Sequence, residues 1–362
     1  MPSIEITDAF LGFIRLGVGA IEFNQVCIPK SFDWNTLKAL AMKQGLSAIM
    51  VDGLEKLPID QKPPKPILLQ WIGEVLREER TFAVQQKTAS EMAKVFHNNA
   101  IRTYILKGIV VAECYPNPSH RRSSDLDCFL YASENHFADV WELGNRLMEQ
   151  QGFEVDRSYY KNSTIYLPGL SVENHQYMTP FRGNHRMKRL ELLLQAMIIS
   201  DNGENLFDGT YLYRPPVMMS ALFLIEHAYS HFLHEGLTWR LILDWMMFCK
   251  KHKDEIDWNS LNALINEFGF RKFYDSFLKL GRYLLGEICK DELTEKDLML
   301  LDDVWGDLDL HETHLGIKGK LALAGNTWRA RWKYRHFTET SMIHMLWIQT
   351  TGVLFMKHPT LD

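Results

Sequence analysis

Asp125 and Asp127 stand two residues apart at the head of an otherwise apolar run, Leu126, Cys128, Phe129 and Leu130. On a strand, side chains at i and i+2 point to the same face, so both carboxylates can close on one hard cation. Such a pair is costly on an apolar strand unless it is solvated or paired. Upstream lies Leu106-Lys107-Gly108, where a short apolar stretch gives way to Ile109-Val110-Val111-Ala112. A glycine at a strand-to-helix turn lets backbone N–H groups meet a phosphate, and Lys107 adds an ammonium. A cation clamp beside a phosphate cradle points to nucleotide chemistry. An isolated Asp-x-Asp carries little information, and the Lys-Gly turn at this spacing is what strengthens it.

Other residues extend the pattern. Arg121 and Arg122 precede the aspartates, and the planar guanidinium fork suits phosphate, so one of them is expected to face a nucleotide. Glu173 and His175 share a strand face further on; the bland alternative for Glu173 is an outward position on an amphipathic strand. His175 can contact a phosphate or an acceptor, or simply hydrogen-bond within the sheet. His227, His231 and His234 recur at helical spacing, which would allow zinc chelation, yet no HExxH or third-ligand motif accompanies them. Histidines in a core or lining a nucleotide cleft are the simpler reading. Arg240 and Asp244, at i and i+4, are expected to form an ion pair. Trp239, Trp245 and Trp258 include candidates for a base-stacking platform, but nothing singles one out.

The elements that must position these groups are legible from periodicity. Residues 1–98 read as helical, with Asp33 an N-cap before Trp34. After a proline-rich break a long helix runs to about residue 97, its apolar face taken as Leu68, Ile72, Val75 and Leu76. Strands are expected at 101–106 and 125–131, a short helix at 108–115, and a helix at 133–151 closed by Gly152. Two further strands, about 163–167 and 171–177, flank a Pro168-Gly169 turn. From Pro216 the pattern is helical again, over roughly 217–234, 238–252, 257–267, 270–287, 294–305, 319–334 and 341–356. The expected class is α+β: a small mixed-sheet core at 99–215 between an N-terminal helical region, 1–98, and a C-terminal helical domain, 216–362.

Bulk composition narrows the partners. With a formal charge of −5, the chain has no broad basic surface for nucleic acid. Its five cysteines are odd in number and never spaced as CxxC, so reduced thiols are expected. Cys128 should face away from Asp127, into the packing of the sheet. Met1-Pro2-Ser3-Ile4-Glu5 has no basic n-region, and the most apolar late stretch, 342–356, is shorter than the ~20 residues a spanning helix needs. It reads as a buried C-terminal helix. A cytoplasmic protein with no membrane partner is expected.

Taken together, Leu106-Lys107-Gly108, Tyr115-Pro116, Arg121, Asp125-Leu126-Asp127 and Val172-Glu173-Asn174-His175 resemble the uncharacterised bacterial nucleotidyltransferases of the polymerase-beta-like superfamily. His227, His231, the segment 239–244 and Ile256-Asp257-Trp258 extend the likeness, which spans from the Asp33-Trp34 region to about residue 260. The resemblance implies Mg²⁺-dependent transfer of a nucleoside monophosphate from an NTP, such as ATP, to an acceptor, with release of pyrophosphate. It implies Asp125, Asp127 and Glu173 as catalytic ligands of two Mg²⁺. Lys107, Gly108, Arg121 and His175 fall on the nucleotide side. Two departures are visible: Ile109 follows Gly108 where serine or glycine is usual, and Asn174 is polar where an apolar residue is more common. The acceptor stays open among a small molecule, a protein and a tRNA end. Alternatives are a non-catalytic nucleotide- or partner-binding module on the same fold, or a metal hydrolase built on the three histidines.

Overall fold

The computed structural model describes residues 2–22, 25–26, 28–29, 32–133, 136–181, 183–306 and 330–343. The N-terminal helices are α1 (Ile4–Gly17), α2 (Trp34–Lys43), α3 (Ser47–Glu55) and α4 (Lys65–His97). Asp33 caps α2 as expected, its Oδ1 accepting from the Thr36 amide at 3.1 Å. Helices α1 and α3 cross at backbone contact. A β-carbon on Gly17 would stand 2.1 Å from the Ile49 carbonyl oxygen, and one on Gly53 2.4 Å from that of Phe13.

Helix α4 serves two cores in succession. Trp71 and Val75 enter the helical core, while Ala89, Met92, Ala93 and Phe96 pack under the sheet. The buried stripe therefore differs from the one read from sequence: Trp71, whose Nε1 donates to Ser47 Oγ at 2.7 Å, is inside, and Leu76 is exposed. An indole with a buried hydroxyl acceptor wins the interior position.

The sheet is mixed, with seven strands in the order β3-β4-β5-β2-β1-β7-β6. These are β1 (Arg102–Ile105), β2 (Asp125–Tyr131), β3 (Glu154–Asp156), β4 (Asn162–Leu167), β5 (Leu170–His175), β6 (Glu204–Asn205) and β7 (Leu212–Arg214). β1 and β2 are antiparallel, whereas β2 and β5 run parallel. Leu126, Cys128, Leu130 and Val172 face α4 and α6 (Phe137–Gln150), so Cys128 turns away from Asp127 as expected. Phe129 and Tyr104 join the helical core on the opposite face. Helix α5 (Ile109–Ala112) follows β1. The short strands β3, β6 and β7, and helix α7 (His185–Ile199), were not anticipated.

The C-terminal helices are α8 (Val217–His234), α9 (Trp239–Lys251), α10 (Trp258–Glu267), α11 (Arg271–Leu285), α12 (Glu295–Trp305) and α13 (Arg331–Phe337). The first five lie where the periodicity places them. Most of the expected helices at 319–334 and 341–356 falls outside the described residues. Although the helical segments flank the sheet in sequence, they form one body in space. Arg15 donates to the carbonyls of Leu284 and Tyr283 at 2.8 and 2.7 Å. Buried Gln44 accepts from the Trp239 amide at 2.8 Å and donates to the Val304 carbonyl at 2.9 Å. Among the described residues no helix is long and apolar enough to cross a membrane.

Candidate functional site

Parallel pairing of β2 with β5 sets Asp127 opposite Glu173 and Phe129 opposite His175. The side chains of Asp127, Glu173 and His175 converge: each offers a ligand atom within 4.8 Å of the others. His175 Nε2 lies 3.0 Å from Asp127 Oδ1 and 3.5 Å from Glu173 Oε2. Its Nδ1 lies 3.1 Å from the Tyr177 carbonyl. An oxygen acceptor faces each ring nitrogen, an arrangement that favours the doubly protonated ring. Burial lowers the His175 pKa, but the hydrogen bonds to Asp127 and Glu173 outweigh burial and raise it.

Lys107 Nζ stands 3.0 Å from Asp127 Oδ2 and pairs with that buried oxygen. Burial alone would push the Asp127 pKa up. The charge of Lys107 and the hydrogen bond from His175 reverse this and hold it well below the usual carboxylate range. Asp127 is 1% exposed, whereas the Glu173 side chain, 34% exposed, forms the open side. Two carboxylates side by side, one of them open to solvent, are the oxygen donors a hard divalent cation takes. The imidazole fits as the group that orients Asp127 through its hydrogen bond.

Asp125 lies one strand period below, partly exposed, opposite Ser171, and is not a member of the converging trio. Its Oδ1 accepts from Ser124 Oγ at 3.1 Å. Gly108 has φ +71°, and a β-carbon there would stand 3.0 Å from Ser123 Oγ. Only glycine turns the chain there without strain.

The polar Asn174 explains why Glu173 and His175 face the site. Its buried side chain donates to Asn145 Oδ1 at 2.9 Å on the α6 side. Asn145 Oδ1 also accepts from Ser163 Oγ at 2.6 Å, and Trp141 Nε1 donates to the Asn174 carbonyl at 2.9 Å. This network locks the register of β5, and a one-residue slip would send Glu173 to the wrong face.

Arg121, expected to face a nucleotide, turns into the protein instead. Its Nε and Nη2 donate to Asp244 Oδ1 and Oδ2 at 3.0 and 2.7 Å, and Tyr115 donates its hydroxyl to the same carboxylate at 2.7 Å. Asp244 thus pairs with Arg121 and not with Arg240, which donates to the Arg122 carbonyl at 3.0 Å. A buried carboxylate and a buried guanidinium each need a fully matched partner, and this bidentate geometry supplies it.

The next residue back also ties the loop down. His120 Nδ1 lies 2.8 Å from Asp52 Oδ1 and its Nε2 3.0 Å from Glu79 Oε1. Burial opposes its charge, but those two carboxylates raise its pKa to about 8. The raised value stabilises the fold fully below the unfolded pKa of about 6.5, and the gain is lost as pH climbs through about 8. Comparing wild type with His120→Gln by urea unfolding, the stability gap should be up to about 2 kcal/mol at roughly pH 6 and near zero at roughly pH 9.

The three histidines of α8 do not assemble a metal site. His231 Nδ1 pairs with Glu235 at 2.8 Å, and His234 Nδ1 donates to the Ser230 carbonyl at 2.8 Å. His227 packs edge-on against His231, with ring centroids 4.4 Å apart. Burial and the nearby Lys107 hold His227 neutral, well below its ordinary pKa. Among the described residues, the cluster with metal-ligand spacing is Asp127, Glu173 and His175.

Sequence reasoning missed Glu226, beside His227 on α8. It is a buried carboxyl, pushed up to about 7 by burial and lowered partly by Lys161, His175 and Lys107. A lone glutamate after Ala221-Leu222-Phe223-Leu224-Ile225 was the available signal. The four described cysteines are free, and Cys27 lies outside the described residues.

A family model described as uncharacterised nucleotidyltransferase matches residues 30–286. No match was found among curated proteins or among solved structures. The matched span holds the Lys-Gly turn, both carboxylate-bearing strands and most of the helices packed on them, so the chain belongs to the uncharacterised nucleotidyltransferase family.

Proposed function

We propose that this protein transfers a nucleoside monophosphate from an NTP to an acceptor hydroxyl. One observation carries the reading: Asp127 and Glu173, brought together by the β2–β5 ladder, meet beside Lys107 and the Gly108 turn. Mg²⁺ held by Asp127 and Glu173, with Asp125 alongside, would neutralise the triphosphate and lower the pKa of the attacking hydroxyl. Lys107 is the ammonium for the β- and γ-phosphates, and the Gly108 turn admits them close to the backbone. The acceptor oxygen bonds to the α-phosphorus as the bond to the β-phosphate bridging oxygen breaks. Pyrophosphate leaves with that electron pair, and the hydroxyl proton passes to the Glu173 carboxylate. His175 holds the Asp127 carboxylate in place through its hydrogen bond.

Incubation with α-labelled ATP, CTP, GTP and UTP, Mg²⁺ and a metabolite extract should label a product and release pyrophosphate. Calorimetric titration with the four Mg–NTPs should show binding of at least one. Failure of all four to bind would end the proposal, and binding without label transfer would favour the non-catalytic module.

A further inference from the structure

A cavity of about 620 Å³ opens at the Asp125 end of the sheet, between α4 and the start of β2 and β5. Ser171 is in its wall, pairs with Asp125 across the ladder, and stands one strand period before Glu173 on the same face. The wall takes Gly169, Leu170 and Ser171 from the β4–β5 side and nothing from β1. With the strands ordered β5-β2-β1, the cavity and the Lys107-Gly108 turn therefore lie on opposite sides of β2.

The charges of that wall do not cancel. Arg121 is engaged by Asp244, and Glu74 Oε1 by Lys38 at 2.9 Å. The second oxygens of Glu74 and Glu78 are shut away from solvent. Arg77 and Arg122 are exposed, and among the described residues neither has a carboxylate within ion-pair distance. Arg122 Nη1 donates only distantly, to the Met42 carbonyl at 3.4 Å. Glu78 lies in the field of Arg122, but burial raises its pKa and so disfavours its charge. A further guanidinium stands beside Arg122. Arg240, half-buried on α9, donates to the Arg122 carbonyl. A β-carbon on Gly45 would stand 3.2 Å from the Arg240 Cδ and 4.0 Å from that of Arg122, so the two side chains pass one glycine together. Burial and the charge of Arg121 hold the Arg240 pKa down. Guanidiniums set close without a counter-ion repel one another, and an oxyanion that accepts from their forks relieves this.

From this excess of unpaired guanidinium we infer that the cavity is the acceptor subsite and takes a hydroxylated molecule bearing a phosphate or a carboxylate, its oxyanion drawn to Arg77 and Arg122. The inference rests on the nucleotidyl-transfer reading for the word acceptor, and on the cavity alone for the ligand class. The volume is that of an ordinary small-molecule site. The Ser171 hydroxyl, without a partner among the described residues, is a donor for the body of the ligand. A hydroxyl of the ligand then continues along β5 toward Glu173, while the triphosphate keeps to Lys107 and Gly108.

The test is calorimetric titration of the full-length protein with glucose 6-phosphate, glucuronate and glucose. The first two separate the sources of oxyanion, and glucose carries none. At least one of the anions should bind about tenfold more tightly than glucose, and the double variant Arg77→Gln with Arg122→Gln should reduce it to the glucose level. Both arginines are at the surface, and thermal melts check that the variant folds. Equal affinity for the three sugars, no binding of any, or a preference for an anion that survives the double variant overturns the inference. So does a fall of more than about threefold in the affinity of that variant for whichever Mg–NTP the wild type binds, because the arginines then serve the nucleotide. The four Mg–NTPs titrated into wild type report separately on the nucleotidyl-transfer reading, so the two can fail independently.

Discussion

Asp127→Asn is expected to cut nucleotidyl transfer by about 1,000-fold, the scale of losing a preorganised charge at the reacting phosphate. The substitution keeps the shape and removes the negative charge that Lys107 and His175 both face at 3.0 Å. It strips Lys107 and His175 of the buried carboxylate they share, so a stability loss of up to about 3–5 kcal/mol comes with it. The two effects separate by experiment. Transfer of label is measured at a temperature where circular dichroism shows the variant folded. Melting is then followed with and without Mg²⁺ and a non-hydrolysable NTP. Wild type should melt higher with the pair present, and chelation of the metal should cancel the gain. Asp127→Asn should show no gain with either. A folded variant that still transfers label at a wild-type rate would remove Asp127 from the chemistry.

Asp244→Ala is the second large effect, and it falls on stability. Asp244 receives both guanidinium nitrogens of Arg121 and the hydroxyl of Tyr115 in the interior. Removing it strands a guanidinium that has almost no access to water, which costs about 3–5 kcal/mol. Urea unfolding should show the midpoint falling with little change in slope. The double replacement Arg121→Met with Asp244→Leu should recover most of the loss, because neither charge is then left alone. That variant also decides the role of Arg121. If its fork is an internal strut, Mg–NTP affinity in the double variant stays within about threefold of wild type. A loss beyond tenfold would return Arg121 to the phosphates.

Much of this arrangement was readable residue by residue. The Asp125–Asp127 pair fell on a strand because alternation with Leu126 and Cys128 is a strand signature. Asp33, the Pro168-Gly169 turn and five of the C-terminal helices follow from capping, turn chemistry and periodicity, all of which are local. Leu76 was misplaced because periodicity finds a stripe but cannot choose between adjacent stripes when a Trp with a buried acceptor competes. Helix α7 and strands β3, β6 and β7 were missed because short or mixed segments carry almost no period.

By itself, the sequence determined which residue types could do chemistry and which strand faces they occupy, since backbone geometry fixes the i, i+2 relation without reference to the rest of the chain. Only the tertiary structure decided who meets whom. Asp127 meets His175 across 48 residues because β5 docks parallel to β2 in one register, and the Asn174–Asn145 network holds it there. The same holds for Arg121, which phosphate and Asp244 could equally have claimed. Burial against α9 gave it to Asp244, because desolvated charges are stable only with a matched partner, and that partner comes from a distant part of the chain.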